Sequence, residues 1–464
     1  MTDTALHPKA FGAVGNGVAD DTAALQATYN AASYGETIDL CGFNYKVSTQ
    51  VLAKAGVIMR GGKISWTTTG TLWGAIVAAD DCKFDSITFV GSGSTGTVGT
   101  PLYQVGIFGG GSNHSSVAPA SRVKVEKCYF SNMTVGVWVG GSSLDPISDD
   151  WLVQGNTFNN IVGFKGQSEG YGVLFSPATR CRALANLFSN ISRHAIYIAG
   201  GATKACISNN VIDVCDNVGI QLNTSVFQPD TNTAIIANNK VMNITRTIAY
   251  GYPSSIPIGI FGKFSDLIIA NNECFGFLDA GIKISASTSG GGTIIDGFDV
   301  VVEGNYIDTP ALAVDGGIRI EAADGVSVNG NYVILNGAQY GLVIDAGAVA
   351  AVKSLSVMGN TFNALAGGST LLRLAGSAAR RVVFRNNDNA GFTTLLTDTT
   401  TAGTLLTDIP VPLARLPAAA VAGAGAEAYV NDLVGAAYVY GAAAVAGGAR
   451  LGRVFSTGAA WLEG

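Results

Sequence analysis

A stack of parallel β-coils is the fold class this sequence predicts, and three observations carry the prediction. An asparagine-bearing half-repeat recurs from about Lys127 to Asn389, with successive Asn residues roughly 24 to 33 positions apart, which is a solenoid period. Each Asn is followed by a short strand pattern that usually opens on Gly. The composition is that of a long, turn-rich β protein: 61 Gly in 464 residues and only 13% charged residues.

The first half-repeat reads apolar, two or three residues, Asn, then an apolar residue two further on. It recurs as Val153-Gln154-Gly155-Asn156-Thr157-Phe158, Leu184-Ala185-Asn186-Leu187-Phe188 and Ile207-Ser208-Asn209-Asn210-Val211-Ile212. Further copies run through Asn239, Asn272, Asn305, Asn331, Asn360 and Asn387. The second half-repeat reads Gly136-Val137-Trp138-Val139, Gly172-Val173-Leu174-Phe175, Ala195-Ile196-Tyr197-Ile198 and Gly219-Ile220-Gln221-Leu222. It continues as Gly259-Ile260-Phe261, Gly281-Ile282-Lys283-Ile284, Gly317-Ile318-Arg319-Ile320 and Gly341-Leu342-Val343-Ile344. Two apolar residues flanking one variable residue is the period of a half-buried strand. One coil cannot bury its apolar side chains alone, whereas a stack buries a continuous column. Asn at each turn can bond along the stack and satisfy turn backbone.

At the start, residues 1–9 read as a leader and Phe11-Gly12-Ala13-Val14-Gly15-Asn16-Gly17 as a loop. Asp20, Asp21 and Thr22 are N-cap candidates for a helix over Ala23–Ala32, with Leu25 and Tyr29 on one face. That helix would cover the open apolar end of the first coil. Gly/Ser/Thr-rich stretches at 91–96 and 109–112, and excursions at 141–150 and 227–233, read as loops beside the outer sheet. After Asn389 the repeat ends. Pro410, Pro412 and Pro417 mark a linker. Strand pieces follow at Ala426–Val430, Ala436–Tyr440, Leu451–Phe455 and around Trp461. These pieces are too poor in large apolar residues for a stable monomeric domain, so three copies around a shared axis are expected. The organisation is therefore 1–47 leader, entry motif and capping helix; 48–390 β-helix carrying the site; 391–464 linker and trimerisation region.

The net charge is −6, without a basic patch, which speaks against nucleic acid as a partner. No apolar run reaches the length of a membrane span, and no secretory signal is visible. The seven cysteines lack metal-type spacing and read as buried free thiols of a reducing compartment. Neither a metal nor another cofactor is expected.

The entry loop, followed by Asp20-Asp21-Thr22-Ala23-Ala24-Leu25-Gln26, resembles the entry motif of the pectate-lyase-like right-handed β-helix proteins. With the Asn coils behind it, the resemblance covers residues 10 to about 390. It implies a right-handed helix. That superfamily includes polysaccharide lyases, glycoside hydrolases and phage tailspikes. For a tailspike it further implies a homotrimer that binds and cleaves bacterial capsular polysaccharide or lipopolysaccharide O-antigen. Such a protein is made in the host cytoplasm and acts outside the cell from the virion tail. The entry motif near residue 10 leaves no room for an attachment domain, so a removed domain, a short tip or a phage tail adaptor is expected. A bacterial secreted or cell-wall polysaccharide enzyme is the non-viral alternative.

Chemistry is expected on the outer side of the coils. By register the outward column runs Trp138, Leu174, Tyr197, Gln221, Phe261, Lys283, Arg319, Val343. Trp138, Tyr197 and Phe261 would offer flat faces to sugar C–H groups, and Lys283 and Arg319 would meet an acidic sugar. Asp279 and Asp315 each lie two residues before a strand-opening Gly. In successive coils they would stand about 5 Å apart, close enough to share a proton as a glycosidase pair does. Glu303 is the third catalytic candidate, with Asp308, Glu321 and Glu273 as further carboxylates. Hydrolysis is the expected reaction. The alternatives are β-elimination on a uronic-acid polymer using His194, Tyr197, Lys283 and Arg319, and non-catalytic glycan binding on the same fold.

Overall fold

A computed structural model describes the chain outside residues 1–4, 68–73, 94–103, 111–117, 141–146, 164–169, 200–201, 224–232, 246–253, 263–264, 286, 289–293, 296–297, 322–323, 338, 347–353, 377–380, 399–403, 408–426, 434–442, 447–449, 458 and 464. The linker prolines, the strand expected at 436–440 and most of the expected loops lie outside the described residues. The chain packs as two compact units, Met1–Asp279 and Ala280–Gly464.

In both units a typical coil is built from three short strands. Leu152–Gln154, Thr157–Ile161 and Tyr171–Phe175 form one coil. Each strand pairs in parallel with its equivalent in the next coil, Arg182–Leu184, Leu187–Ile191 and His194–Ala199. The second unit repeats the plan. There Asp324–Asn329, Tyr332–Leu335 and Tyr340–Ala346 pair with Leu355–Met358, Thr361–Ala364 and Thr370–Gly376. The fold is thus the expected parallel β-helix. Parallel pairing already links Asn16–Asp20 to Asn44–Val47, and it runs on to Thr404–Thr407, past the boundary expected at 390.

The half-repeat Asn forms the corner between the first and second strands. Asn156 is buried. Its amide donates to Val125 O at 2.9 Å and to Asn186 Oδ1 at 3.0 Å, while its own Oδ1 accepts the Cys128 N–H at 2.8 Å. The amide ladder continues through Asn186, Asn210, Asn239 and Asn272 in the first unit. In the second unit it runs through Asn305, Asn331, Asn360 and Asn387. The residue before each ladder Asn carries the left-handed turn: Gly155 at φ 65°, Asn209 at 59°, Asn238 at 57°, Asn271 at 54° and Gly304 at 61°. Gly and Asn tolerate that conformation best, which explains why these turns read Gly-Asn or Asn-Asn, with Ala185 before Asn186 as an exception at φ 53°.

One core column is a stack of phenyl rings. Phe89, Phe130, Phe158 and Phe188 lie with successive centroids 5.0, 4.9 and 4.8 Å apart and planes within 6°. This stack is the reason for the strand-opening glycines Gly136 and Gly172. A Cβ at Gly136 would sit 2.5 Å from Phe158 Cδ1, and one at Gly172 would sit 2.6 Å from Phe188 Cδ1.

The expected helix spans Thr22–Ala31, with Leu25 and Tyr29 fully buried. It docks through Gln26, which exchanges hydrogen bonds with Leu52 backbone at 2.8 and 3.1 Å. Asp21 does not cap it by its side chain. That carboxylate is 2% exposed and accepts instead from the Val14 and Gly15 N–H groups at 2.6 and 3.1 Å, closing the entry loop. At the other end, Glu427–Leu433, Arg450–Ser456 and Trp461–Glu463 form an antiparallel sheet over a small core of Val430, Leu433 and Val454.

The described cysteines are free thiols. Cys82, Cys128, Cys181, Cys215 and Cys274 are buried, Cys206 is partly covered and Cys41 is exposed. Burial pushes Cys82 up to about 11 and Cys128 and Cys181 up to about 12. In native protein at pH 8 a thiol reagent should label Cys41 first and Cys206 more slowly, with the other five reacting only on unfolding. Labelling of the buried five at the same rate would show that the coils open freely.

Candidate functional site

The third strands of successive coils present two chemically different outer faces, one in each unit. In the first unit Trp138, Leu174, Tyr197 and Gln221 stand in register, and Phe108 precedes Trp138. Trp138 and Tyr197 are half-buried against an outer apolar cluster that includes Phe108, Tyr171 and Leu174. Trp138 meets Phe108 edge-on, with centroids 5.8 Å apart. Phe261 does not join this column. Gln221 pairs with Gly259, and Phe261 falls opposite Asn223, two residues further on. The third strand Ser255–Phe261 enters the sheet two residues earlier than the Gly pattern suggests.

A second outer column, Val135, Tyr171, His194, lies beside the first. The His194 ring stacks on Tyr171 at 5.5 Å and tilts against Tyr197 at 5.0 Å. It is fully buried. Arg193 Nη1 donates to the Tyr171 hydroxyl at 2.5 Å. The 3.1 Å contact of Nδ1 with Val218 O requires the proton on Nδ1, which leaves Nε2 as a buried lone pair without a hydrogen-bond partner among the described residues. Burial first, and the Arg193 charge second, hold His194 well below its usual value of 6.5. The folded chain therefore refuses a proton that the unfolded chain accepts, and stability should fall as pH drops below about 6.5, by up to about 1.4 kcal/mol per unit. His194→Phe should flatten that decline in urea midpoints between pH 6.5 and 5. An unchanged profile would place the proton uptake elsewhere.

In the second unit the outer face is charged. Lys283, Arg319, Val343 and Arg373 stand in register. Three carboxylates surround Arg319. Nε reaches Glu321 Oε1 at 2.6 Å, Nη2 reaches Asp345 Oδ2 at 2.9 Å and Nη1 pairs with Asp315. Lys283 Nζ lies 3.0 Å from Glu321 Oε1, and the Ser285 hydroxyl donates to Glu321 Oε2. The Arg319 side chain is only 17% exposed. Burial disfavours charge here, yet the Ser285 hydroxyl, Lys283 and Arg319 outweigh it and hold Glu321 below its ordinary value. Arg319 is raised in turn: burial opposes its charge, but Asp315, Glu321 and Asp345 prevail.

The family model for a right-handed β-helix region matches residues 105–290 and 171–360. The chain belongs to the right-handed β-helix family. Solved structures share this fold at low identity. The mannuronan C-5 epimerase AlgE4 A-module of Azotobacter vinelandii is 17% identical over 86% of this chain and 99% of its own, with a TM-score of 0.50. PfbA, a surface adhesin of Streptococcus pneumoniae, is 15% identical over 85% and 94%, with a TM-score of 0.53. Tailspike protein 3 of bacteriophage CBA120 is 12% identical over 90% of this chain and 64% of its own, with a TM-score of 0.54. No curated protein matches the chain in sequence.

Asp279 ends the first unit, where its carboxylate accepts from the Ser255 N–H at 2.6 Å. Asp315 belongs to the second unit and is neutralised by Arg319. Glu303 is exposed at the end of Phe298–Glu303, a first strand, and so stands on another sheet from Lys283 and Arg319. Asp308 takes a hydrogen bond from Asn336 at 2.6 Å, and Glu273 pairs with Lys240 at 3.4 Å on the surface. Asp345, Ser285 and Arg373 escaped the sequence reading. Leu372-Arg373-Leu374 repeats the third-strand pattern without its opening glycine, and the register alone identifies it. Among the described residues no group of three His, Cys, Asp or Glu side chains could hold a metal ion, and no helix is long and apolar enough to cross a membrane.

Proposed function

We propose that this β-helix acts on bacterial surface polysaccharide, capsule or O-antigen, and hydrolyses its glycosidic bonds on the outer face of the third strands. The observation that carries this reading is the gathering of Asp315, Glu321 and Asp345 around Arg319 on that face. A glycosidase needs one ionised carboxylate to attack the sugar or activate water, and a second carboxyl to protonate the leaving oxygen. Glu321, held ionised, suits the first role. Asp315 and Asp345 are the carboxyls within reach for the second role, and either must first exchange its pairing with Arg319 for a proton when substrate enters. Trp138 and Tyr197 offer a separate aromatic surface for sugar rings. The tailspike and epimerase among the solved structures of this fold are consistent with polymer chemistry on such a face. The tailspike reading also places the protein on a virion tail, as a trimer. Light scattering should then give three times the chain mass of 47.4 kDa, and a monomer mass would exclude the trimer.

The test is digestion of a panel of capsular and O-antigen polysaccharides, with fragment masses read by mass spectrometry. Fragments that have gained one water support hydrolysis. Glu321→Gln, Asp315→Asn and Asp345→Asn should then each slow cleavage at least a hundredfold, while Asp279→Asn and Glu303→Gln test the two carboxylates outside the cluster. Unchanged rates across the cluster variants would remove it from catalysis. One observation favours a second reading: Nε2 of His194 is an unprotonated nitrogen beside Tyr197 and Arg193, the residue types β-elimination at a uronic acid calls for, although the same surroundings weaken it as a base. Its full burial makes it the weaker reading. Fragments ending in an unsaturated sugar would reverse that order, and intact but bound polymer would favour an adhesin.

A further inference from the structure

Arg373 differs from the other cations of its column. Lys283 and Arg319 spend their charge on Glu321, Asp315 and Asp345. Arg373 stands two coils beyond Arg319, about 10 Å along the stack. Its guanidinium lies over the Tyr340 ring, 5.0 Å from the centroid. Among the described residues no carboxylate lies within ion-pair distance of it. It is half-buried.

A cation in that setting is held but not neutralised. The tyrosine ring attracts the guanidinium charge and helps to hold it in place. The guanidinium N–H donors lie in its own plane, at its edge, and a ring contact of this kind uses none of them as a charged hydrogen bond. The edge matches the two oxygens of a carboxylate, which a planar fork engages with parallel hydrogen bonds. Partial burial removes competing water and strengthens such a bond. Asp345, on the strand paired with that of Arg373, is already engaged by Arg319.

We propose that Arg373, seated on Tyr340, is a subsite for the carboxylate of an acidic sugar, and that the polymer recognised by the second unit is therefore anionic. The inference rests on the reading that this outer face binds polysaccharide. It adds the charge class of the substrate and a specificity residue two coils from the carboxylate cluster.

The test measures binding of glucuronate, galacturonate and N-acetylneuraminate, with glucose and galactose as neutral controls, to the whole chain by ligand-observed NMR. At least one acid should bind the native protein more tightly than its neutral counterpart. Arg373→Gln should weaken that acid about tenfold or more and leave the neutral sugars unchanged. Arg373→Lys should recover part of the loss. Tyr340→Phe keeps the ring and should bind as the native protein does, whereas Tyr340→Ala should not. No preference for any acid, or a preference that survives Arg373→Gln in a folded variant, overturns the proposal. Cleavage of the polysaccharide panel is scored separately. Cleavage without acid binding would leave hydrolysis standing and remove the subsite. Acid binding through Arg373 without cleavage would keep the subsite and remove hydrolysis.

Discussion

Replacing Asn210 by alanine should destabilise the first unit by about 3–5 kcal/mol, the largest effect expected of a polar substitution outside the charged cluster. Its amide donates to Ala183 O at 2.9 Å and to Asn239 Oδ1 at 2.9 Å. Its carbonyl oxygen accepts from the N–H and the Nδ2 of Asn186, both at 3.0 Å. All of these groups are buried, so truncation orphans donors on one coil and acceptors on two. Each orphan costs about 1–3 kcal/mol, and a single water entering the gap cannot serve them all. Asn190→Ala is the matched control. Asn190 also bonds to an Asn of the preceding coil, Asn160, at 2.9 Å, but on the exposed surface. There water replaces the lost partner, leaving about 1–2 kcal/mol for alanine in the left-handed conformation at φ 56°. Urea midpoints of the two variants decide the matter. Equal shifts would mean that the buried ladder contributes no more than a surface amide pair. A coil stack need not unfold in one step, so the comparison uses the first transition.

Arg319→Met should destabilise the second unit by about 2–4 kcal/mol at pH 7, and the loss should shrink on acidification. Removing the guanidinium leaves Asp315, Glu321 and Asp345 with only Lys283 among the cations of the cluster. Uncompensated buried charge is the costly part of breaking an ion pair, reduced here because the side chains keep some solvent. The sign with pH follows from Glu321. Its carboxyl is held below the ordinary 4.5 in the folded protein. Its stabilising contribution is therefore complete above about pH 4.5 and is lost as pH falls through the lower folded value. In Arg319→Met the crowded carboxylates favour protonation instead, so the variant gains relative to the native protein as pH falls from 7 towards 4. Urea midpoints at both pH values measure the gap. A gap of constant size would show that Arg319 acts by packing its methylenes and not by charge. The same variant should abolish turnover if the cluster is catalytic, because Glu321 loses one of the charges that keep it ionised.

The coil plan was legible because its causes are local. A ladder amide needs Asn preceded by a residue that accepts a left-handed turn, and the pairs Gly155-Asn156, Asn209-Asn210 and Gly304-Asn305 state both requirements in two letters. A half-buried strand alternates, and Gly172 next to Phe188 is a steric necessity repeated from coil to coil. The capping helix was readable from Leu25 and Tyr29. The roles of single side chains were less legible. Asp21 looked like a helix cap and instead closes the entry loop, because the N–H groups of Val14 and Gly15 come within its reach once the loop folds back. Phe261 looked aligned with Tyr197 and lies two residues out of step. His194, a β-elimination candidate expected on the outer side of the coils, is sealed between two tyrosines.

The chain's own letters therefore settle that it coils, where each coil turns and which residues face in. Which outward residues meet was left to folding, as with Arg319 and Asp345, or Arg373 and Tyr340. The reason is physical. Turn and strand preferences act over a few neighbouring residues, whereas an outward side chain meets a partner one whole coil away. That register is set by the lengths of the intervening loops and by core packing, neither of which any short stretch of sequence contains.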